Sequence, residues 1–96
     1  MQEHTIAGVS ALAIRELAAR HGATRVRVFG SFARGDHRHG SDLDLLVELA
    51  PGRSLLDLVG IKQDLEDLLG IPVDVVTERS ISPYMRNAVL EEAIAL

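Results

Sequence analysis

Apolar residues at Val9, Leu12, Ala13 and Leu17 recur at helical spacing, and Gly22 is placed to stop that helix after His21. The period then changes. Arg25-Val26-Arg27-Val28-Phe29 alternates polar and apolar side chains, which predicts a first strand with one buried face. That strand runs directly into Gly30-Ser31, where a short helix is expected to start. Asp36 to Ser41 is polar and flanked by glycine, the composition of a loop. Beyond it Leu43, Leu45 and Val47 share one face of a second strand, opposite Asp42 and Asp44.

Ala50-Pro51-Gly52-Arg53 has the chemistry of a turn. Ser54 followed three residues later by Asp57 forms a capping box, opening a helix that runs through Leu69 and stops at Gly70. Leu55, Leu58, Val59, Leu65, Leu68 and Leu69 are its expected buried stripe. Ile71 to Val76 predicts a third strand. Ser82 and Pro83 suit the cap and first position of a last helix, with Met85, Ala88, Val89 and Ile94 lining its inner face. The order is helix, strand, short helix, strand, helix, strand, helix. Strands interleaved with helices predict an α/β fold in which helices pack on a small sheet. No repeat, low-complexity tract or linker interrupts it, so residues 1–96 are expected to form one domain.

Composition leaves that picture intact and narrows the function. Hydrophobic residues make up 47% and charged residues 25%, the balance of a soluble globular protein. The apolar runs are too short to span a membrane, and Met-Gln-Glu-His lacks the start of a signal peptide. With no cysteine, neither disulfides nor thiolate metal sites arise. A cytoplasmic protein without membrane association is the expectation. The formal net charge is −4, from 14 acidic and 10 basic residues, which argues against broad electrostatic binding of nucleic acid. A local nucleotide site stays open, because metal ions bridge acidic residues to phosphates. Nine of the basic residues are arginine, whose planar fork suits phosphate or carboxylate, though a compositional bias accounts for the excess equally well.

Three features together point to such a site. Gly30-Ser31 joins a strand to a helix, where a phosphate can approach the backbone closely and a hydroxyl can donate to it. A bare turn has the same sequence. Asp42 and Asp44, two apart on a strand, direct both carboxylates to one side; like charges so close raise each other's pKa unless a cation joins them, and hard oxygen ligands suit Mg²⁺. Asp74 sits among Val73, Val75 and Val76, either as a solvent-facing alternate residue or as a third carboxylate. If the third strand lies beside the second in phase, all three carboxylates converge. His37 and His39 read as surface histidines of a polar loop, His4 and His21 have no supporting pattern, and Arg25 and Arg27 read as the exposed face of the first strand.

Gly30-Ser31-Phe32-Ala33-Arg34-Gly35 followed by Ser41-Asp42-Leu43-Asp44-Leu45-Leu46-Val47, with the later Asp74, resembles the signature of the DNA polymerase β-like nucleotidyltransferase superfamily. The short chain is similar to its minimal branch, the MntA-like antitoxins paired with HEPN-domain toxins. That resemblance implies a polymerase β-like core with a small mixed sheet, ATP as donor and two Mg²⁺ ions. It implies that Asp42, Asp44 and Asp74 are the metal ligands and catalytic carboxylates, with Asp74 helping to position and deprotonate the acceptor hydroxyl. Gly30, Ser31, Arg34 and Ser41 are the implied nucleotide contacts; a salt bridge is the alternative use of Arg34.

The resemblance further implies transfer of AMP to a tyrosine of a HEPN RNase toxin. No residues remain for a separate acceptor domain, which fits an acceptor carried by a partner protein. A non-catalytic antitoxin acting by contact and a small-molecule nucleotidyltransferase are the alternatives. Tyr84, Met85, Val89, Leu90, Ala93, Ile94 and Leu96 wrap more than one face of the last helix, so they either close the core or form an interface in a homodimer or hetero-oligomer. Tyr84 itself reads as a packing residue or, by the resemblance, as a target of modification.

Overall fold

A computed structural model describes residues 5–96; His4 lies outside the described residues. The described residues begin with a hairpin, β1 (Thr5–Ile6) and β2 (Val9–Ser10), that the apolar spacing did not announce. Val9 therefore belongs to a strand. Helix α1 (Ala11–Arg20) begins one residue after Ser10, whose Oγ accepts from the Ala13 amide at 3.1 Å. Its buried face is Ala11, Ile14 and Ala18, while Leu12 is exposed, so the expected stripe is rotated around the helix. The turn into the sheet passes through Gly22 at φ +88°, where any Cβ would run into the Arg53 side chain.

Strand β3 (Ala23–Phe29) leads to α2 (Ser31–Arg34), and a loop then reaches β4 (Leu43–Leu49). Helix α3 (Leu55–Leu69) has the expected capping box: the Ser54 amide donates to Asp57 Oδ2 at 2.9 Å, and the Leu56 amide donates to Ser54 Oγ. Gly70 ends it in the left-handed conformation. Strand β5 (Val73–Val76) starts after Pro72, two residues later than expected, and a 3₁₀ turn (Glu78–Ser80) precedes α4 (Pro83–Glu92), capped by Ser82 as foreseen. Ile94 is not helical. With Ala95 it forms β6, which pairs with Arg27 and Val28.

The result is an α/β fold around a four-stranded mixed sheet in the order β5-β4-β3-β6, with β4 and β5 parallel and the other neighbours antiparallel. Side-chain alternation gives the sheet two different faces. Val26, Val28, Leu43, Leu45, Val47 and Val73 enter one core with Ile14 and Ala18 of α1 and Ile61, Leu65 and Leu69 of α3. On the reverse face Leu46, Ile81 and Val89 form a smaller core with Phe29 and Val76, and this core seats α4. Arg27 lies on that reverse face too. It is half-buried, and its Nε is shut from solvent without a partner, so it is not the free surface residue that the alternation suggested. Leu55, Val59 and Leu68, expected in the stripe of α3, are exposed; Ile61 takes the buried position between them.

Candidate active site

The candidate site lies on the reverse face, because Asp44 and Asp74 alternate with the core residues of β4 and β5. Asp42 immediately precedes β4 rather than lying within it. Parallel pairing sets Asp44 directly opposite Asp74, the in-phase register that the sequence called for, and antiparallel pairing sets Phe29 opposite Asp44. Gly30 therefore emerges from β3 beside the Asp44 side chain. Its φ of +74° and ψ of −153° lie in a region open almost only to glycine, and a Cβ there would overlap an oxygen of the Asp44 carboxylate. The packing thus requires glycine here for a reason other than the phosphate approach expected from the sequence.

Gly30, Ser31, Arg34, Ser41, Asp42 and Asp44 all line one open cleft of about 640 Å³. Its other wall is α4, through Tyr84, Met85, Ala88, Val89 and Glu92. Asp74 is exposed and is not part of that lining. Among the described residues, no three His, Cys, Asp or Glu side chains close into a group able to hold a metal. Two of the three carboxylates line the cleft, and Asp74 lies beside them on the next strand, in register with Asp44 and near enough for its charge to act on that carboxyl.

Burial pushes the Asp44 carboxyl above its ordinary range, and the charges of Asp74, Asp42 and Glu92 push it further, against the opposing pull of Arg34. A cation would relieve this accumulation. Mg²⁺ is commonly held by one or two carboxylates and completes its shell with water and substrate phosphates, so Asp42 and Asp44 beside an open cleft fit it in number and chemistry.

Arg34 is ion-paired as well as cleft-lining. Its Nη1 donates to Glu92 Oε1 at 2.8 Å and its Nε to Asp36 Oδ2 at 3.1 Å, and these partners raise its pKa, Asp36 foremost. The Ser41 hydroxyl accepts from the Arg38 amide at 2.8 Å, which closes the loop that delivers Asp42. His37 is less free than a loop histidine need be, since its ring stacks on Phe32 with centroids 4.1 Å apart. His21 pairs with Asp64 at 2.7 Å, tying the end of α1 to α3.

The sequence reading missed the contribution of α4. Met85 and Ala88, assigned to its inner face, are exposed and form cleft wall. Glu92 was not singled out. A signal existed: α4 ends on Glu91 and Glu92 with no basic residue in its last turn, against the preference of the helix dipole, and such an acid calls for a tertiary partner. Another open cleft, about 630 Å³ and lined in part by Arg53, Arg79 and Arg86, contains none of the expected site residues. Among the described residues no helix is long and apolar enough to cross a membrane.

Known proteins resemble this chain in sequence and fold. A candidate protein adenylyltransferase of Methanocaldococcus jannaschii is 48% identical over 75 residues, covering 78% of the chain and 81% of the relative. The protein adenylyltransferase MntA of Thermococcus cleftensis is 38% identical over 80 residues, covering 83% and 81%. Among solved structures, one described as a candidate minimal nucleotidyltransferase superposes with a TM-score of 0.80 at 58% identity, covering 88% of this chain and 87% of that one. A toxin–antitoxin structure with AMP-PNP gives 0.73 at 25% identity, covering 85% and 68%. The family model of the nucleotidyltransferase domain matches residues 12–96, a span that contains every residue of the cleft, and the chain accordingly belongs to that family as a minimal nucleotidyltransferase.

Proposed function

We propose that this nucleotidyltransferase is an Mg²⁺-dependent antitoxin that transfers AMP from ATP to a tyrosine hydroxyl of a HEPN-domain RNase toxin. One observation carries the reading: Asp42 and Asp44 share a cleft with the Gly30-Ser31 turn, so close that a Cβ on Gly30 would overlap the Asp44 carboxylate. A phosphate that reaches the turn comes beside both carboxylates. Relatives named as protein adenylyltransferases support a protein acceptor, and the toxin–antitoxin structure with AMP-PNP supports an adenine nucleotide and a toxin partner. The reading takes residues 1–96 as one domain acting in the cytoplasm.

In this reading Gly30 and Ser31 hold the phosphates, Ser41 adds a nucleotide contact, and Arg34 turns to the departing pyrophosphate. Asp42 and Asp44, with Asp74 beside them on the next strand, would hold two Mg²⁺ ions, which would offset the charge that develops on the phosphate oxygens. Asp74, exposed beside the cleft, receives the proton of a hydroxyl that a partner brings to the sheet face. Positioning and electrostatics supply most of the rate.

Co-expression with the toxin and intact-mass measurement of that toxin test the proposal. The wild-type chain is expected to add whole AMP units, and a variant combining Asp42→Asn with Asp44→Asn to add none. Equal addition by the double variant would overturn the assignment of these carboxylates. Full protection of cells by a double variant that adds no AMP would favour an antitoxin that works by contact.

A further inference from the structure

Tyr84 is the only tyrosine of the chain, is 98% exposed, and lines the cleft that the Gly30-Ser31 turn also lines. Its backbone is fixed by the Ser82 cap, whose Oγ accepts from the Tyr84 amide at 3.4 Å, and by Pro83 in the first turn of α4. The packing of Val89 against Leu46 and Ile81 then holds α4, and with it the Tyr84 backbone, against the sheet. Nothing in its own core uses the ring. The other cleft hydroxyls belong to different elements: Ser31 follows Gly30 in the turn, and Ser41 is engaged by the Arg38 amide. In-line displacement needs a nucleophile on the side away from the departing pyrophosphate, and Tyr84 is the hydroxyl that α4 brings to the cleft.

We propose that Tyr84 is an intramolecular acceptor, so that the chain adenylylates itself in its own cleft. The inference rests on the adenylyltransferase reading above. The Tyr84 phenolic oxygen attacks the α-phosphorus of ATP and forms an O–P bond. The bond from the α-phosphorus to the bridging oxygen of the β-phosphate breaks, pyrophosphate leaves with that electron pair, and the phenolic proton passes to water in the open cleft. The product is tyrosyl-AMP on α4. Its adenylyl group occupies the space that the next nucleotide needs, so modification closes the cleft to ATP.

Incubation of the purified full chain with ATP and Mg²⁺, followed by intact-mass and peptide mass spectrometry, tests this. The expected result is a gain of one adenylyl unit on the peptide containing Tyr84, at a rate per molecule independent of protein concentration, with loss of AMP-PNP binding in the modified form. Tyr84→Phe keeps the ring and is expected to melt at the wild-type temperature while staying at its unmodified mass. Modification at another residue, or a rate per molecule that rises with protein concentration, would overturn the intramolecular assignment. So would a chain that gains no mass while adenylylating the toxin, which leaves the adenylyltransferase reading standing. A chain that modifies neither itself nor the toxin sinks both.

Discussion

Replacing Gly30 by alanine perturbs two things that can be separated. The first is backbone strain, since φ +74° with ψ −153° is a region that residues with a Cβ occupy at a cost of about 1–3 kcal/mol. The second is steric: the new methyl overlaps the Asp44 carboxylate, which must move. Gly35 provides the control. It has φ +78° and ψ +13°, the ordinary left-handed conformation, with open space around a Cβ, so Gly35→Ala carries strain of roughly 1–2 kcal/mol and nothing more. For a domain of this size each 1 kcal/mol corresponds to a fall in Tm of about 4–8 °C. Thermal unfolding followed by circular dichroism should therefore place Gly30→Ala below Gly35→Ala, and both below wild type. AMP-PNP titration should show binding lost by Gly30→Ala and kept by Gly35→Ala. Equal stability losses together with equal nucleotide binding would refute the idea that Gly30 is required by its approach to Asp44.

Leu46→Ala removes the most deeply buried side chain beneath α4 and should cost about 2–5 kcal/mol, read by urea denaturation; a loss well under 1 kcal/mol would mean that the smaller core does not seat α4. Ser54→Ala removes the side-chain half of the α3 capping box and should cost about 0.5–2 kcal/mol, and an unchanged urea midpoint would count against that cap. Glu66 accepts from the Val73 amide and from Lys62 Nζ, both at 3.0 Å, and these contacts hold its carboxyl below the usual range, with the Val73 amide the larger cause. A depressed folded-state pKa contributes stability above the unfolded value that is lost as pH falls through the folded one, so Glu66→Gln should flatten the acid limb of a Tm-against-pH curve, whereas an unchanged limb would show that the link between α3 and β5 has no such role.

What the sequence made legible was local. Gly30 and Ser31 are set by a turn, Asp44 by strand alternation and Asp42 by the loop that enters the same strand, all acting over a few residues, and all four reach the same cleft. The capping box of Ser54 and Asp57 and the left-handed stop at Gly70 were readable for the same reason. What escaped was tertiary or ambiguous in period. Leu12, Leu55, Val59 and Leu68 were assigned inward because the helices carry more apolar residues than one face of a small sheet can cover, and spacing alone could not choose among them. Ile94 and Ala95 are too short a strand to show alternation. Glu92 meets Arg34 across 58 positions of chain, a contact fixed by how α4 seats on Leu46 rather than by any neighbouring residue. Asp74 fell in register with Asp44 as the alternation allowed, yet outside the cleft lining.

Calorimetric titration of AMP-PNP tests the central claim most directly: that Asp42 and Asp44 make the cleft a metal-dependent nucleotide site. The account predicts saturable binding by the wild-type chain with Mg²⁺ present, loss of that binding with EDTA, and no binding by the Asp42→Asn, Asp44→Asn variant at an unchanged Tm. Equal affinity with and without Mg²⁺, or undiminished binding by the double variant, would contradict it.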